Sequence, residues 1–376
     1  MGNSFVWSDN WWVENEDAWF VDGENNLLFH YNFLSNKYNL VAEIPYESKN
    51  TFRLNSRCMK CNDDIYCMPD TSNIIWIYNL KKKEFSSIVL DNPDHVRIAI
   101  VNFWKYHDSI IAVSTGLKRV LEVDIYEKKI KQFYDIEGNV SASILVNDSI
   151  YYVSNQDYSI FEFNLINKQN FQYTNEIICR GLQTICYDGK DFWLSGYKKE
   201  IYHWNKEENT IEVLDCFPKD FGIYDFQKGC DKILDCEKEE YDIPTFIEAI
   251  ALEKYTCFIP FQTNQIIYVD KQTQEIHSLN SLDESETAMS MTKNRLGHKF
   301  LVEYVTDTGI IALFSLKKQQ MIDVDINNGM ITTRLIHRDP RLLKQIFEIY
   351  KKREKIYFEG NRFDDEVYFN YCFGDN

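Results

Sequence analysis

Residues that interrupt regular structure are scarce in this chain, which has 14 Gly and 7 Pro among 376 residues. Such a composition argues against a long disordered or low-complexity protein. The chain also lacks an apolar run of the roughly 18 residues that span a bilayer, and no basic N-terminal segment is followed by an apolar stretch. The 10 Cys fall mostly in predicted strands, as free thiols do in reducing compartments. We therefore expect a cytoplasmic protein.

Positive charge is also in short supply. The chain has 41 Lys and Arg against 58 Asp and Glu, which gives a formal net charge of −17. Proteins that bind the nucleic-acid backbone need a basic footprint, and anionic membrane surfaces attract basic segments. The charge balance therefore predicts neither a nucleic-acid partner nor a membrane-surface partner, and it favours solubility.

Motifs of hydrolytic and phosphate-transfer enzymes are absent: there is no Gly-x-Ser-x-Gly, no His-Glu-x-x-His and no Gly-rich phosphate loop. The seven His are scattered along the chain. Among them, His95 is a candidate for ligand binding or acid–base chemistry, because it follows Asp94 close to Arg97. A solvated turn histidine is the alternative. The sequence favours a non-catalytic protein without a cofactor, but it leaves enzymatic activity open.

The pair Cys58 and Cys61, with Cys67 nearby, has the spacing of half a zinc site. A structural zinc ion takes four ligands, usually from two such pairs, and the chain has no second Cys-x-x-Cys. Positions i and i+3 of a strand also point to opposite faces. We interpret these residues as thiols of the core and expect no metal site.

Aromatic residues, by contrast, are abundant at 15% of the chain, and they suit half-buried sheet surfaces. A short pattern recurs around them, as in residues 74–79: three or four apolar positions, then a closing Asn or Asp and a polar turn. The copies end at Asn32, Asn79, Asp124, Asn164, Asn205, Asp270 and Asp325. Strand-like units that repeat every roughly 40–50 residues predict an all-β fold, a β-propeller of about seven blades.

Each copy extends into four antiparallel strands, named a to d in chain order. In the third copy these strands are predicted at residues 96–105, 109–114, 119–124 and 130–134. Strand b is apolar on both faces, which predicts burial between blades, whereas strand c alternates, which predicts a position nearer the outer rim. The closing Asn or Asp is expected to hydrogen-bond to its own turn rather than to act in catalysis.

The repeat predicts a propeller over residues 1–337, with insertions at about 218–244 and 281–297. Asp339-Pro340 then begins a predicted helix with apolar residues at spacings of three and four, and a β-hairpin is predicted after it. Residues 338–376 therefore form a predicted appendage, which we place where the ring of blades closes. Insertions in repeat folds project from loops, often on the binding face.

In its period and strand order, the chain up to about residue 337 resembles the kelch-like and WD40-like β-propeller superfamily. It departs from both patterns, because no Gly-Gly pair ends a strand b and no Trp-Asp dipeptide is present. The resemblance implies a disc of radial blades around a central channel, with ligands contacted mostly by loops on one face. It implies no particular activity, because such folds host enzymes and adaptors alike.

Three arginines, Arg53, Arg97 and Arg180, each lie eleven residues before the Asp that introduces strand b of their copy. The layout implied by the resemblance places them at the start of the innermost strands, near the mouth of the channel. Guanidinium groups there would suit a carboxylate, a phosphate or an acidic peptide. The alternative is that each arginine pairs with an acidic neighbour between blades. Tyr197, in a predicted b–c loop of the same face, is a further candidate for binding sugars or peptides.

The leading hypothesis is a non-catalytic scaffold that presents a loop-rich face to a protein or peptide partner. It follows from a repeat fold without a convergent catalytic constellation and with two insertions near one edge. A second hypothesis is an enzyme that acts on a small anionic sugar or related acid in the central channel. A third is a carbohydrate-binding module that uses loop aromatics such as Tyr197.

Overall fold

The computed structural model describes the larger part of the chain. The described residues are 10–23, 26–45, 54–178, 181–222, 244–261, 263, 265–279, 300–315, 320–334, 341–342, 344–346 and 348–349. Within them, the chain forms seven four-stranded antiparallel sheets, and each sheet takes its strands in the order a-b-c-d. The sheets form the blades of a ring, so the predicted seven-bladed β-propeller is confirmed.

The first four blades follow one another without long interruptions. Blade 1 contains β1 (Trp11–Glu14), β2 (Asp17–Asp22), β3 (Leu27–Asn32) and β4 (Lys37–Glu43). Blade 2 contains β5 (Asn55–Cys61), β6 (Asp64–Pro69), β7 (Ile74–Asn79) and β8 (Glu84–Val89). Blade 3 contains β9 (Ile100–Tyr106), β10 (Ser109–Ser114), β11 (Arg119–Asp124) and β12 (Lys129–Asp135). Blade 4 contains β13 (Ala142–Val146), β14 (Ser149–Val153), β15 (Ser159–Asn164) and β16 (Asn170–Thr174).

The last three blades are separated by longer segments. Blade 5 contains β17 (Leu182–Tyr187), β18 (Phe192–Gly196), β19 (Ile201–Asn205) and β20 (Thr210–Leu214). Blade 6 contains β21 (Phe246–Ala251), β22 (Tyr255–Pro260), β23 (Ile266–Asp270) and β24 (Ile276–Leu279). Blade 7 contains β25 (Phe300–Val305), β26 (Ile310–Ser315), β27 (Gln320–Asp325) and β28 (Met330–Arg334). Most of the first predicted insertion (223–243) and all of the second lie outside the described residues.

The hydrophobic core is divided among the blade interfaces. Strand b is the most buried strand, and β10, β14 and β18 are buried along their whole length, as predicted from their apolar sequences. Strand c alternates, as in β11 and β27. The buried apolar side chains gather in seven clusters, and each cluster joins two neighbouring blades. Because one cluster joins blade 7 to blade 1, the ring is closed.

Closure of the ring depends on side-chain packing. Blade 7 pairs four consecutive strands, so among the described residues no strand is shared between the two ends of the propeller. Residues 341–342, 344–346 and 348–349 are helical, in agreement with the predicted helix, whereas the predicted hairpin lies outside the described residues. Leu342 and Ile346 of this helix are buried with Phe20 of blade 1 and Phe314 of blade 7. The helix therefore covers the seam between the first and last blades.

No helix within the described ranges is both long enough and apolar enough to cross a membrane.

The turn between strands c and d has the same construction in all seven blades. In blade 2, the Asn79 side-chain oxygen accepts hydrogen bonds from the backbone N–H groups of Lys81 and Lys82, and its amide donates to Asp64 at 2.7 Å. Four residues after each closing Asn or Asp, the backbone has a positive φ, at Asn36, Lys83, Lys128, Lys168, Asn209, Gln274 and Gly329. The repeated Asn or Asp is thus a turn residue, as the sequence predicted.

Antiparallel order divides the connections between two faces of the disc. The a–b and c–d connections lie on one face, called here the turn face, and the b–c and d–a connections lie on the other, called here the loop face. Turns of the turn face are short and regular, as in the two-residue a–b turn at Asn62 and Asp63. Loops of the loop face differ in length and sequence from blade to blade. Sequence variation between blades is therefore concentrated on the loop face.

Candidate functional site

Backbone hydrogen bonds join neighbouring blades around the loop face. The N–H of Ala99, which leads into β9, donates to the Asp70 carbonyl of blade 2 at 2.9 Å. Leu182 of blade 5 donates in the same way to Ser154 of blade 4 at 2.8 Å, and Thr245 before β21 donates to Gly196 of blade 5 at 2.9 Å. These bonds fix the segments that enter blades 3, 5 and 6 against the preceding blade.

Close backbone contact explains two glycines in this ring. A Cβ at Gly116 would lie 1.5 Å from the carbonyl oxygen of Arg97, and a Cβ at Gly181 would lie 2.0 Å from that of Asn155. Both distances are shorter than any carbon–oxygen contact. Glycine is therefore required where the b–c and d–a segments cross, and the mouth of the channel is sterically tight at these points.

Arg97 forms an ion pair between blades. Its Nε donates to Asp70 Oδ1 at 2.6 Å, and its Nη2 contacts the same carboxylate. The Asp70 side chain is only 5% exposed, whereas that of Arg97 is 58% exposed. The guanidinium group therefore covers a buried carboxylate of blade 2 with one edge and presents its other edge to solvent on the loop face.

The predicted equivalence of the three arginines depends on the register of strand b in each blade. Ser109, not Asp108, pairs with the closing Asp124 of blade 3, whereas Asp64 itself pairs with Asn79 in blade 2. Counted from these positions, Arg97 lies one residue farther from strand b than Arg53 does. The eleven-residue spacing thus misaligned blade 3 by one residue. Arg53 and Arg180 lie outside the described residues.

The other two predicted binding residues also lie on the loop face, His95 two residues before Arg97 and Tyr197 in blade 5. His95 is exposed in the d–a loop before blade 3, with a positive φ of 52° and an N–H that donates to the Asn92 carbonyl at 3.1 Å. Tyr197 is half-buried directly after β18 of blade 5. Their ligand-binding role stays a prediction.

Exposed apolar side chains also lie on the loop face. Val96 is next to Arg97 in the loop that enters blade 3, Tyr158 lies in the b–c loop of blade 4, and Ile177 lies in the loop from blade 4 to blade 5. They are 39%, 48% and 42% exposed, respectively. Together they border one sector of the ring, from the junction of blades 2 and 3 to blade 5.

The central channel contains two charged residues that sequence reasoning missed. The first strands surround the axis: β1 contacts β5 and β25, β13 contacts β9 and β17, and β17 contacts β21. Arg57 of β5 and Glu248 of β21 follow a bulge at equivalent positions, since they pair with Met68 and Ile259, the fifth residues of their strands b. Blades 2 and 6 are not neighbours in the ring. Burial in the channel raises the pKa of the Glu248 carboxyl, and Arg57 lowers it in part, as a positive charge in the same channel does.

The surroundings of the two charges differ. Arg57 Nη1 donates to the Val101 carbonyl and to Asn102 Oδ1 at 3.3 Å, and the Asn102 amide donates to the Ser143 carbonyl at 2.6 Å. Glu248 is accessible to water, but the protein encloses it in the channel, and this desolvation raises the pKa of its carboxyl to about 7. Arg57 is thus held by the next blade, while Glu248 changes its charge near neutral pH.

Other buried carboxylates have structural roles. Glu162 of blade 4 accepts hydrogen bonds from Ser149, Tyr151 and Tyr173, and Lys206 of blade 5 lies 3.0 Å from its Oε2. Burial raises the pKa of Glu162, but these donors outweigh burial and lower it below the ordinary value. The same position holds Glu122 in blade 3 and Asp323 in blade 7, each bonded to a Tyr or Arg. Glu162 and Glu122 thus connect to a lysine of the next blade, whereas Asp323 bonds within blade 7.

Two Asp–His pairs repeat as packing units at the turn face. Asp191 lies 3.3 Å from His203 Nε2 and accepts from Asn205 at 2.8 Å, and the His203 ring stacks on Trp193. Blade 1 repeats this arrangement with Asp17, His30, Asn32 and Trp19. Because the same triad closes the same turn in two blades, we interpret it as part of the scaffold.

The cysteines of blade 2 occupy the core. Cys58 pairs with Cys67 across β5 and β6, and both pack between blades 1 and 2, whereas Cys61 packs between blades 2 and 3. Burial raises the pKa of all three thiols, to about 11 for Cys61. The two members of the Cys-x-x-Cys pair thus point to opposite faces. Among the described residues, no group of three or more His, Cys, Asp or Glu is arranged to hold a metal ion.

Proteins of known structure share the fold of this chain. No family model and no curated protein matches the sequence. A streptogramin B lyase has a similar structure, with a TM-score of 0.58 and 14% identity over 88% of this chain and 95% of that chain. The computationally designed protein Ika8 has a TM-score of 0.55 and 7% identity over 90% of each chain. A chain of a mitotic checkpoint complex has a TM-score of 0.52 and 8% identity over 89% of each chain.

These neighbours include an enzyme, a designed protein and part of a protein complex. At such low identities, the likeness extends to the fold and not to residues of a site. The chain is therefore a seven-bladed β-propeller.

Proposed function

We propose that the protein is a non-catalytic binding scaffold whose loop face takes a protein or peptide partner. The observation that carries this proposal is the group of exposed apolar side chains Val96, Tyr158 and Ile177 in one sector of that face. We call this group the loop-face sector. Apolar side chains exposed on loops between the strands of a scaffold are suitable anchors for a partner.

Charge narrows the class of partner. Arg97, next to Val96, has a side chain that is 58% exposed although it pairs with Asp70, and His95 is exposed nearby. Complementary charge steers association and suppresses wrong partners. The proposed partner segment therefore has an acidic side chain next to an apolar one.

The pairing of the carboxylates in the outer strands supports a scaffold over an enzyme. Glu162, Glu122 and Asp323 are all committed to hydrogen bonds or ion pairs between outer strands. One of the fold neighbours is a chain of a mitotic checkpoint complex, so this architecture occurs within a protein assembly. The lyase among the neighbours shares the fold at 14% identity.

The turn face provides a matched control. Leu34, Tyr126 and Ile166 are exposed at the same position of three c–d turns, where the other four blades have Lys81, Glu207, Gln272 and Asn327. These side chains are isolated on short turns of identical construction. Replacing each set of three with Asp removes exposed apolar surface from opposite faces of the disc, and more of it from the turn face.

The test compares three forms of the full chain as bait in cells that express the protein. Wild type and the turn-face variant (Leu34→Asp, Tyr126→Asp, Ile166→Asp) should capture the same partner in a fixed stoichiometry. The loop-face variant (Val96→Asp, Tyr158→Asp, Ile177→Asp) should lose it with an unchanged melting temperature. Asp tolerates the positive φ of Tyr158. Loss of the partner in the turn-face variant alone, or no stoichiometric partner for wild type, would overturn the proposal.

A further inference from the structure

Two opposite charges in the central channel are separated, and each remains able to bind a ligand. Arg57 and Glu248 are both described, and no nitrogen of one lies within 4.0 Å of an oxygen of the other. Opposite charges in a confined space normally make direct contact when their side chains can reach. Here the gap between them is held open by the positions of blades 2 and 6 on opposite sides of the ring.

Arg57 is oriented by its neighbours. Its Nη1 donates to the Val101 carbonyl and to Asn102, and Asn102 is in turn bonded to the Ser143 carbonyl. These bonds link blades 2, 3 and 4 and occupy one nitrogen of the guanidinium group. A guanidinium group has five N–H donors in a planar fork. The donors of the other two nitrogens remain available to an anion in the channel.

Glu248 has no equivalent support. Within the described part of the chain, its carboxylate accepts no hydrogen bond, although Arg57 acts on it electrostatically. The strands packed against β21 are β17, β18 and β22, which carry the thiols of Cys186 and Cys257 and the phenols of Tyr187 and Tyr255 but no charged side chain. A carboxylate in such surroundings gains strongly from a cationic partner, because the enclosed channel screens charge less than bulk water does.

We propose that the channel binds a small zwitterion of the amino-acid class, with its anionic group at Arg57 and its ammonium group at Glu248. A ligand with only one charge cannot pair with both side chains. An anion would leave Glu248 unpaired and repel it, and a simple cation would do the same at Arg57. A ligand that carries both charges replaces the missing contact across the channel and binds by two charge-assisted hydrogen-bonded ends. This site is separate from the loop-face partner and does not depend on it.

Amino acids of graded length provide the test, because the distance between their charges increases in steps. Glycine, β-alanine and γ-aminobutyrate are added to the full chain at pH 8, with acetate and methylammonium as single-charge controls. The melting temperature should rise with at least one zwitterion and not with either control at the same concentration. Isothermal titration then gives the dissociation constant for the best ligand.

Glu248→Gln tests the assigned contact, since it keeps the shape of the side chain and removes its charge. Its affinity for the best zwitterion should fall about tenfold or more, as expected for losing a hydrogen bond between charged groups. Glu212→Gln, on the exposed strand β20, is the matched control and should bind like wild type. No stabilisation by any zwitterion, equal stabilisation by acetate, or undiminished binding in Glu248→Gln would each overturn the proposal.

The pH dependence of wild type gives a second readout that needs no variant. The ammonium group requires ionised Glu248, whose pKa is raised to about 7 by enclosure in the channel. Affinity should therefore be constant above this pKa and fall about tenfold for each pH unit below it. An affinity that is unchanged between pH 8 and pH 6 would contradict binding at Glu248, even if the variant failed to fold.

Discussion

The seam between blades 1 and 7 offers a direct test of how the ring is held closed. Leu342 and Ile346 of the C-terminal helix are 7% and 6% exposed, and both lie in the cluster that joins these blades. Truncating a buried Leu or Ile to Ala costs about 3 kcal/mol, from lost transfer energy and the cavity left behind. Domains of this kind are stable by roughly 5–15 kcal/mol. We expect Leu342→Ala or Ile346→Ala to remove a substantial part of that stability, measured by urea unfolding.

The matched control is Lys344→Ala, on the exposed side of the same helix, which should change the free energy of unfolding by less than about 0.5 kcal/mol. Hydrogen exchange should locate the effect of the core variants. Protection should fall first in β1–β4 and β25–β28, next to the seam, and least in blade 4 on the far side of the ring. If Leu342→Ala were as stable as Lys344→Ala, the helix would not hold the seam, and our reading of the closure would be wrong.

Three further predictions concern the repeat itself. Asn79→Ala removes the acceptor that holds its c–d turn and should cost about 1 kcal/mol in urea unfolding, whereas an unchanged midpoint would mean that the turn closes without it. Gly116→Ala places a Cβ 1.5 Å from the Arg97 carbonyl oxygen and should reduce the free energy of unfolding by more than about 3 kcal/mol. Gly189→Ala, where no atom lies within 4 Å of the new Cβ, should reduce it by only about 1 kcal/mol because of the positive φ. Equal melting temperatures of the two variants would refute this contrast. Because the folded-state pKa of Glu162 is depressed, its ionisation stabilises the fold above its ordinary value of 4.5 and this contribution is lost as pH falls through the folded pKa. Wild type should therefore lose more stability on acidification below pH 4.5 than Glu162→Gln, and parallel curves would contradict this.

The architecture was predictable because its signals are local. The closing residue of each strand c, such as Asn79, bonds to backbone groups two and three positions later, so the turn is encoded within five residues. The apolar runs of strand b and the alternation of strand c likewise follow from the period of a pleated strand. The same logic identified the C-terminal helix from the spacing of Leu342 and Ile346. Repetition in seven copies made each local signal stronger than it is in a single strand.

The candidate site was less predictable because it depends on register between strands. The sequence aligned Arg97 with Arg53 by treating Asp108 as the equivalent of Asp64. In the structure, Ser109 is the equivalent residue, because it pairs with the closing Asp124. Arg97 lies in the d–a loop before β9, so its place depends on the length of that loop as well as on the register of the strands. No composition or spacing rule distinguishes Asp108 from Ser109 as the first paired residue, since both are usual in turns.

The positions of Arg57 and Glu248 were harder still to predict from the sequence, because they also depend on register between strands. Each follows a bulge, which adds one residue to strand a without a partner in strand b. An alternation rule applied from the start of the strand therefore assigns these residues to the wrong face. A signal was nevertheless present, because alignment on the fifth residue of strand b places Arg57, Asn102 and Glu248 at one level of the channel.

At that level of the channel, the outer and the inner strands are under different constraints. A propeller built from near-identical outer strands has little freedom to vary its rim, because Asn79 and its six equivalents must close the same turn. The first strands face a channel that no neighbouring blade fills, and their side chains are free to differ from blade to blade. Arg57 of blade 2 is bonded to blade 3, but its position at the same level as Glu248 of blade 6 is not a contact between neighbouring blades, since blades 2 and 6 are not adjacent in the ring. Arg57 and Glu248 share one channel only because the ring is closed. The amino acids of graded length test for a ligand that binds both side chains.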